Sequence, residues 1–149
     1  EITKSLKAEL DKPVEERGLP IFVFESDDDG RKYIIPVRGK GLWGPIWGYV
    51  ALKSDLNTIS GAVFEHKGET PGLGAEINTD WFENAFIGKT LFNDEGEFVS
   101  ITVVKGGADP SDQHAVDGIS GGTITSKGLE DMLYDCINPY VSFFKDQMN

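Results

Sequence analysis

Asp117-Gly118-Ile119-Ser120-Gly121-Gly122-Thr123-Ile124-Thr125-Ser126 gathers four hydroxyls and three glycines within ten residues, with Lys127-Gly128 directly after. Glycines at 118, 121 and 122 permit a tight turn whose N–H groups converge on an anion. Ser120, Thr123, Thr125 and Ser126 add hydroxyl donors, and Lys127 adds a positive charge. A helical pattern starts at about Ser126, and the free N–H groups of a helix start favour a phosphate. The chemistry on offer is phosphate holding; an ordinary helix N-cap loop has the same composition.

Two other readings fail on spacing. A Walker A loop places Lys-Ser/Thr after its last glycine, whereas Lys127 precedes Gly128 here. Gly118-Ile119-Ser120-Gly121-Gly122 fits the Gly-x-Ser-x-Gly of a nucleophile elbow, but no apolar strand leads tightly into Ser120 and no histidine follows it. No catalytic base or nucleophile for acyl transfer is therefore assigned.

The elements that must position this stretch are legible as runs and turns. Ile2, Leu6 and Leu10 mark a short helix that Pro13 interrupts, read as a surface cap or as the stub of a longer membrane-proximal helix. Pro20 to Phe24 reads as a buried strand, Asp27-Asp28-Asp29-Gly30 as a solvated turn, and Lys32 to Val37 as the antiparallel partner. Trp47 to Leu52 and Thr58 to His66 form a second antiparallel pair around Asp55-Leu56-Asn57. Thr79 to Phe86 reads as a short helix capped by Asn78 or Thr79, and Gly96 to Val104 as a further strand. Leu129, Met132, Leu133, Cys136, Ile137, Tyr140 and Phe144 recur at three and four, marking a core-facing helix that Pro139 kinks or divides. The expected class is α+β: a mostly antiparallel sheet with the C-terminal helix packed on it.

Between these elements lie two further glycine-rich segments. Gly39 to Gly48 mixes glycine with Trp43 and Trp47, a composition suited to packing against a flat object or to a loop tucked into the core. Glu69-Thr70-Pro71-Gly72-Leu73-Gly74-Ala75-Glu76 has fixed turn chemistry. His66 precedes it and is read as a hydrogen-bonded structural residue, since His114 lies too far along the chain for ligand spacing.

Composition narrows the partners. The chain has 149 residues, 39% hydrophobic and 11% aromatic, which suits one globular domain. Its net charge of −11 disfavours nucleic acid and anionic membrane surfaces. The single cysteine, Cys136, leaves no internal disulfide and no cysteine-built metal site, and no metal is assigned. No apolar run reaches spanning length. The first residue is Glu1 rather than methionine, as in a processed or trimmed chain.

Ser120-Gly121-Gly122-Thr123-Ile124-Thr125 resembles the Ser/Thr-Gly-Ala-Thr-x-Thr motif of the FMN-binding domain family, with Gly122 where the family has alanine. Gly41-Leu42-Trp43-Gly44-Pro45-Ile46-Trp47-Gly48 and His66-Lys67-Gly68-Glu69-Thr70-Pro71-Gly72-Leu73-Gly74 resemble two more family segments, in the same order. The first is more similar to the family's members in the sodium-translocating NADH:quinone reductase than to those in the Rnf electron-transport complex. The resemblance implies that Thr125 is joined to FMN through a phosphoester, with Ser120, Gly121, Gly122 and Thr123 completing the attachment loop. It places Glu69, Thr70, Leu73 and Gly74 near the flavin, with Trp43, Pro45 and Trp47 as packing candidates.

It implies further that residues 1–149 are a single FMN-binding domain, without the family's N-terminal membrane helix, outside the cytoplasmic face of the inner membrane. The function implied is electron transfer in a membrane complex that oxidises NADH, reduces quinone and exports sodium. The partners implied are the other subunits of the complex and a flavin transferase that uses FAD and magnesium. The alternatives are an Rnf-type subunit and a flavin-free binding or scaffold module.

Overall fold

A computed structural model describes residues 2–13, 17–28 and 30–148. Asp29 of the predicted turn and the side chain of Ile2 lie outside the described residues. Four strands, β1 (Phe22–Ser26), β2 (Gly30–Lys40), β3 (Pro45–Leu52) and β4 (Ile59–His66), form an antiparallel meander in chain order. Val37 pairs with Gly48, and Gly48 with Phe64. Both predicted hairpins are present, and β2 and β3 join them into one sheet.

Period-two alternation sets the faces. Ile46, Gly48, Val50 and Leu52 of β3 point into the core, beside Ile35 and Val37 of β2 and Phe64 of β4. The helix α1 (Ile2–Leu10) buries Leu6 in its packing against β2. The long helix lies across β2 and contributes Leu129, Met132, Leu133, Cys136 and Ile137 to the same core. Gly128 is what lets it approach so closely, because a side chain there would strike the Lys40 carbonyl. This contact sets the start of the helix beside the β2–β3 turn.

The helix itself departs from expectation at its start. It spans Thr123–Ile137, so Thr125 sits in its first turn rather than before it. Pro139 divides the helical region as expected: α3 (Thr123–Ile137) ends in a short 3-10 turn, and α4 (Val141–Met148) follows. The helix α2 (Asp80–Asn84) is brief, and Phe82 packs edge-on to Phe64 and Phe86 at 6.1 and 5.4 Å. Thr79 occupies its N-cap position, but the hydroxyl donates to the Glu76 carbonyl instead (2.6 Å).

Two strand expectations are corrected. The run at 22–24 forms a strand, but Phe22, Val23 and Phe24 are 40, 53 and 56% exposed. β1 is the edge of the sheet and, among the described residues, pairs only with β2. The long strand expected over 96–104 reduces to β5 (Thr102–Val104). Ser100 takes φ 59°, which breaks the extended run, and the N–H groups of Val99 and Ser100 both donate to the Leu91 carbonyl. β5 pairs in parallel with β6 (Ala115–Asp117), a strand the sequence pattern does not announce. That pairing, with Gly118 N–H donating to the Val104 carbonyl at 2.8 Å, anchors the upstream end of the glycine-rich stretch.

Candidate functional site

The turn after β6 is held by its own backbone. Gly122 N–H donates to Ile119 O and Ser126 N–H to Gly122 O, both at 2.9 Å. The Ser126 hydroxyl accepts from Ile119 N–H at 3.1 Å and is buried, so it closes the loop rather than facing a ligand. Lys127 is also spent locally, on Glu130 at 2.5 Å and Asp131 at 3.1 Å. Its charge turns along the outside of α3. The leading N–H groups of α3, where the helix dipole is positive, remain available for an anion.

Thr125 lies on the inner side of that first turn, 2% exposed. Its hydroxyl donates to Glu69 Oε1 at 2.5 Å. Glu69 is itself 3% exposed and is held from several sides. Leu42 N–H donates to Oε1 at 2.8 Å and Trp43 N–H to Oε2 at 2.9 Å. Glu69 N–H in turn donates to His66 Nδ1 at 3.0 Å. His66 therefore has the structural role read from the sequence, with its Nδ1 kept as an acceptor. Burial pushes the Glu69 carboxyl up, but hydrogen bonds from the Thr125 hydroxyl and the backbone of Trp43, Leu42 and Gly44 outweigh it, and the net shift is downward. Glu69 is thus a buried carboxylate that ties three segments together: the 41–44 turn, the 66–74 loop and the start of α3.

Two glycines make this convergence possible by close approach. A side chain at Gly74 would strike Thr125 Oγ1, and one at Gly41 would strike Glu69 Oε1. Above the Thr125–Glu69 pair opens a cleft of about 220 Å³, lined by Leu42, Trp43, Thr70, Leu73, Gly74, Gly121, Gly122, Thr123, Ile124 and Thr125. Its rim is apolar and exposed: Trp43 at 68%, Ile124 at 59%, with Leu42 and Leu73 also exposed. A larger cleft of about 430 Å³ adjoins it, sharing Gly121 and Thr123 and adding Lys105, Asp117 and Ser120 among others. Thr125 does not line it, so the smaller cleft is the chemically relevant one.

Of the residues singled out from the sequence, Thr125, Thr123, Gly121, Gly122, Thr70, Leu73, Gly74 and Trp43 meet in the Thr125 cleft, with Glu69 beneath it. Ser120 opens into the adjoining cleft. Pro45 begins β3, and Trp47 lies on the β3 face opposite Ile46, in register with Arg38 and Glu65; neither lines the Thr125 cleft. Leu42 and Ile124 are not among the expected site residues, although both fall within quoted motifs. Their signal is an apolar side chain inside a glycine-rich loop and another in an exposed helical first turn.

The site fits a phosphate-bearing planar cofactor in its donors and its rim. It offers a helix N-terminus, a hydroxyl aimed at a carboxylate, and apolar side chains around the opening. Comparisons with known proteins agree. Residues 41–138 match the family model described as FMN-binding domain. The C subunit of the Na(+)-translocating NADH-quinone reductase of Pseudomonas aeruginosa is 41% identical over 122 residues, 80% of this chain and 46% of that protein. The protein of the same name from Vibrio anguillarum is 44% identical over 110 residues, 74% of this chain and 43% of its own. The chain thus spans less than half the length of these relatives. The crystal structure of the corresponding protein from Parabacteroides distasonis superposes with a TM-score of 0.83 at 49% identity, covering 97% of this chain and 67% of that one. Shewanella oneidensis NqrC superposes with a TM-score of 0.76 at 33% identity, covering 91% and 67%.

Proposed function

The chain belongs to the FMN-binding domain family, and from that premise we propose that Thr125 carries FMN through a phosphoester at Oγ1. The observation that carries this reading is the placement of that hydroxyl: first turn of α3, edge of an apolar-rimmed cleft, hydrogen-bonded to a buried carboxylate. Bound FMN supplies the redox chemistry, taking up and passing on electrons one or two at a time. The protein's part is attachment, orientation and shielding. The leading N–H groups of α3 stabilise the phosphate charge. Gly121, Gly122 and Thr123 carry the chain around the phosphate, and Leu42, Trp43, Leu73 and Ile124 supply apolar cover for the ring.

Because Thr125 is only 2% exposed, attachment requires the rim to give. Leu73 is one of the exposed apolar side chains on that rim. It lies over Gly121, where an added Cβ would stand 2.6 Å from Leu73 Cδ2, and it is itself 41% exposed. In this reading part of the flavin stays open to solvent or to a partner, as electron exchange between proteins requires.

At the level of the whole assembly, the reading is an electron-transfer domain of a sodium-translocating NADH:quinone reductase, working with the other subunits of a membrane complex. Among the described residues no helix is long and apolar enough to cross a membrane. In this reading the domain stands on the extracytoplasmic side, and a flavin transferase using FAD and magnesium makes the bond.

The test is the intact mass of the chain after denaturation, following co-production with a flavin transferase. The expected result is a gain equal to one FMN less one water, with flavin fluorescence that stays on the unfolded chain and is lost in Thr125→Ala. A wild-type chain that keeps its unmodified mass favours the flavin-free module instead, and flavin released on unfolding shows noncovalent binding.

A further inference from the structure

Glu69 poses a question that phosphate holding does not answer: a buried carboxylate stands where negative charge is to arrive. Its Oε1 is 2.5 Å from Thr125 Oγ1, the atom that bonds to phosphorus in the reading above. Repulsion between the two anions would oppose attachment if the carboxylate stayed charged. The hydroxyl proton also has to leave as the ester forms, and Glu69 Oε1 is the acceptor to which it already points.

We propose that Glu69 is the catalytic proton acceptor for FMN attachment, taking the Thr125 Oγ1 proton onto its carboxylate. This rests on the reading that Thr125 is the attachment residue. The step balances without redox change. The Oγ1–P bond forms at the FMN-side phosphorus of a flavin adenine dinucleotide. The P–O bond of the pyrophosphate breaks, AMP leaves with the bonding electron pair, and the proton passes from Oγ1 to Glu69. Neutralising Glu69 also removes the like charge beside the new phosphate, so one transfer serves both the chemistry and the product.

The surroundings suit the role. Leu42 and Trp43 N–H groups fix the carboxylate plane, and His66 Nδ1 fixes the Glu69 backbone. The downward shift of the Glu69 carboxyl arises from hydrogen bonds and has no charged side chain among its causes. A carboxyl in this range is ionised at neutral pH and has the empty acceptor site that the proton needs, while the same hydrogen bonds lower its basicity, so it is the 2.5 Å contact with Thr125 Oγ1 that marks it as the acceptor. The carboxylate is thus aimed by backbone donors.

Glu69→Gln and Glu69→Asp separate a base from a structural post. Glutamine preserves the length and removes the basicity; aspartate keeps the basicity and shortens the reach. Each chain is incubated with FAD, Mg²⁺ and purified flavin transferase, below its own melting transition. The attachment rate is read from intact mass and from fluorescence retained after denaturation. Removal of a proton acceptor predicts that E69Q slows by about 10²–10⁴-fold and that E69D is the faster of the two variants. An E69Q rate equal to wild type, or E69Q faster than E69D, overturns the proposal while leaving Thr125 as the attachment residue. A wild-type chain that takes no flavin, or a T125A chain that takes as much as wild type, overturns the underlying assignment instead, and this proposal with it.

Discussion

Replacing Gly74 by alanine probes the convergence beneath the cleft. Gly74 is not among the residues of positive φ. Alanine at such a position ordinarily stabilises, by about 0.4–1 kcal/mol, through the unfolded chain. Here the new methyl would overlap Thr125 Oγ1, with Thr125 Cβ at 3.1 Å and Glu69 Cβ at 3.3 Å. None of these atoms has free room, since Thr125 and Glu69 are both buried. Overpacking of this kind costs roughly 1–3 kcal/mol. If Thr125 rotates away to relieve it, Glu69 loses one of its donors, and a hydrogen bond to a charged group is worth about 1.5–3 kcal/mol. The two costs are alternatives as much as additions, so the expected net loss is about 2–4 kcal/mol. For a chain of this size that is a fall in Tm of roughly 4–16 °C. Thermal melting by circular dichroism measures it, and intact mass after incubation with the transferase reports slower attachment in the same variant. A G74A chain that melts at or above the wild-type temperature and takes flavin at the wild-type rate refutes the packing argument.

Gly122→Ala restores the family's usual residue, yet its Cβ would lie 2.9 Å from Ile119 Cγ2 and 3.3 Å from Gly74 N; a loss of about 1–2 kcal/mol by urea melting is expected. Acid should weaken the fold through Glu69. Its folded pKa lies below the ordinary 4.5, so its contribution is complete above that value and is lost as pH falls through the folded pKa. Urea melts between about pH 5 and pH 3 should therefore show a steeper acid loss in wild type than in E69Q. Burial pushes the Cys136 thiol up to about 11, and its Sγ donates to the Arg38 carbonyl at 3.2 Å. Iodoacetamide near neutral pH should leave it unmodified in the native chain and alkylate it after unfolding.

The hairpins are legible because glycine and aspartate turns separate alternating or β-branched runs, and the helical break because Pro139 cannot donate its N–H. Three features are hidden for physical reasons. A three-residue strand such as β6 has no measurable periodicity, and its parallel partner is fixed by tertiary packing. Ser100 at φ 59° cuts a run whose composition favours extension throughout. Phe22-Val23-Phe24 reads as buried from apolarity alone, yet it forms the sheet edge. At the site, the residue types mark the attachment loop and the resemblance marks Thr125. The bond that organises the site joins Thr125 to a residue 56 positions away, and sequence spacing is silent on such pairs. Trp47 is the opposite case: alternation from Ile46 along β3 already assigns it to the face away from the core.

Peptide mapping tests the central claim most directly. The chain is produced with a flavin transferase, denatured, digested, and the fluorescent peptide fragmented by tandem mass spectrometry. Attachment at Thr125 predicts a single flavin-bearing peptide spanning Ser120 to Ser126, with the added mass on Thr125 and no fluorescent peptide from T125A. Flavin localised to Ser120 or Thr123, or an unmodified Thr125 in a chain that still holds flavin covalently, would contradict it.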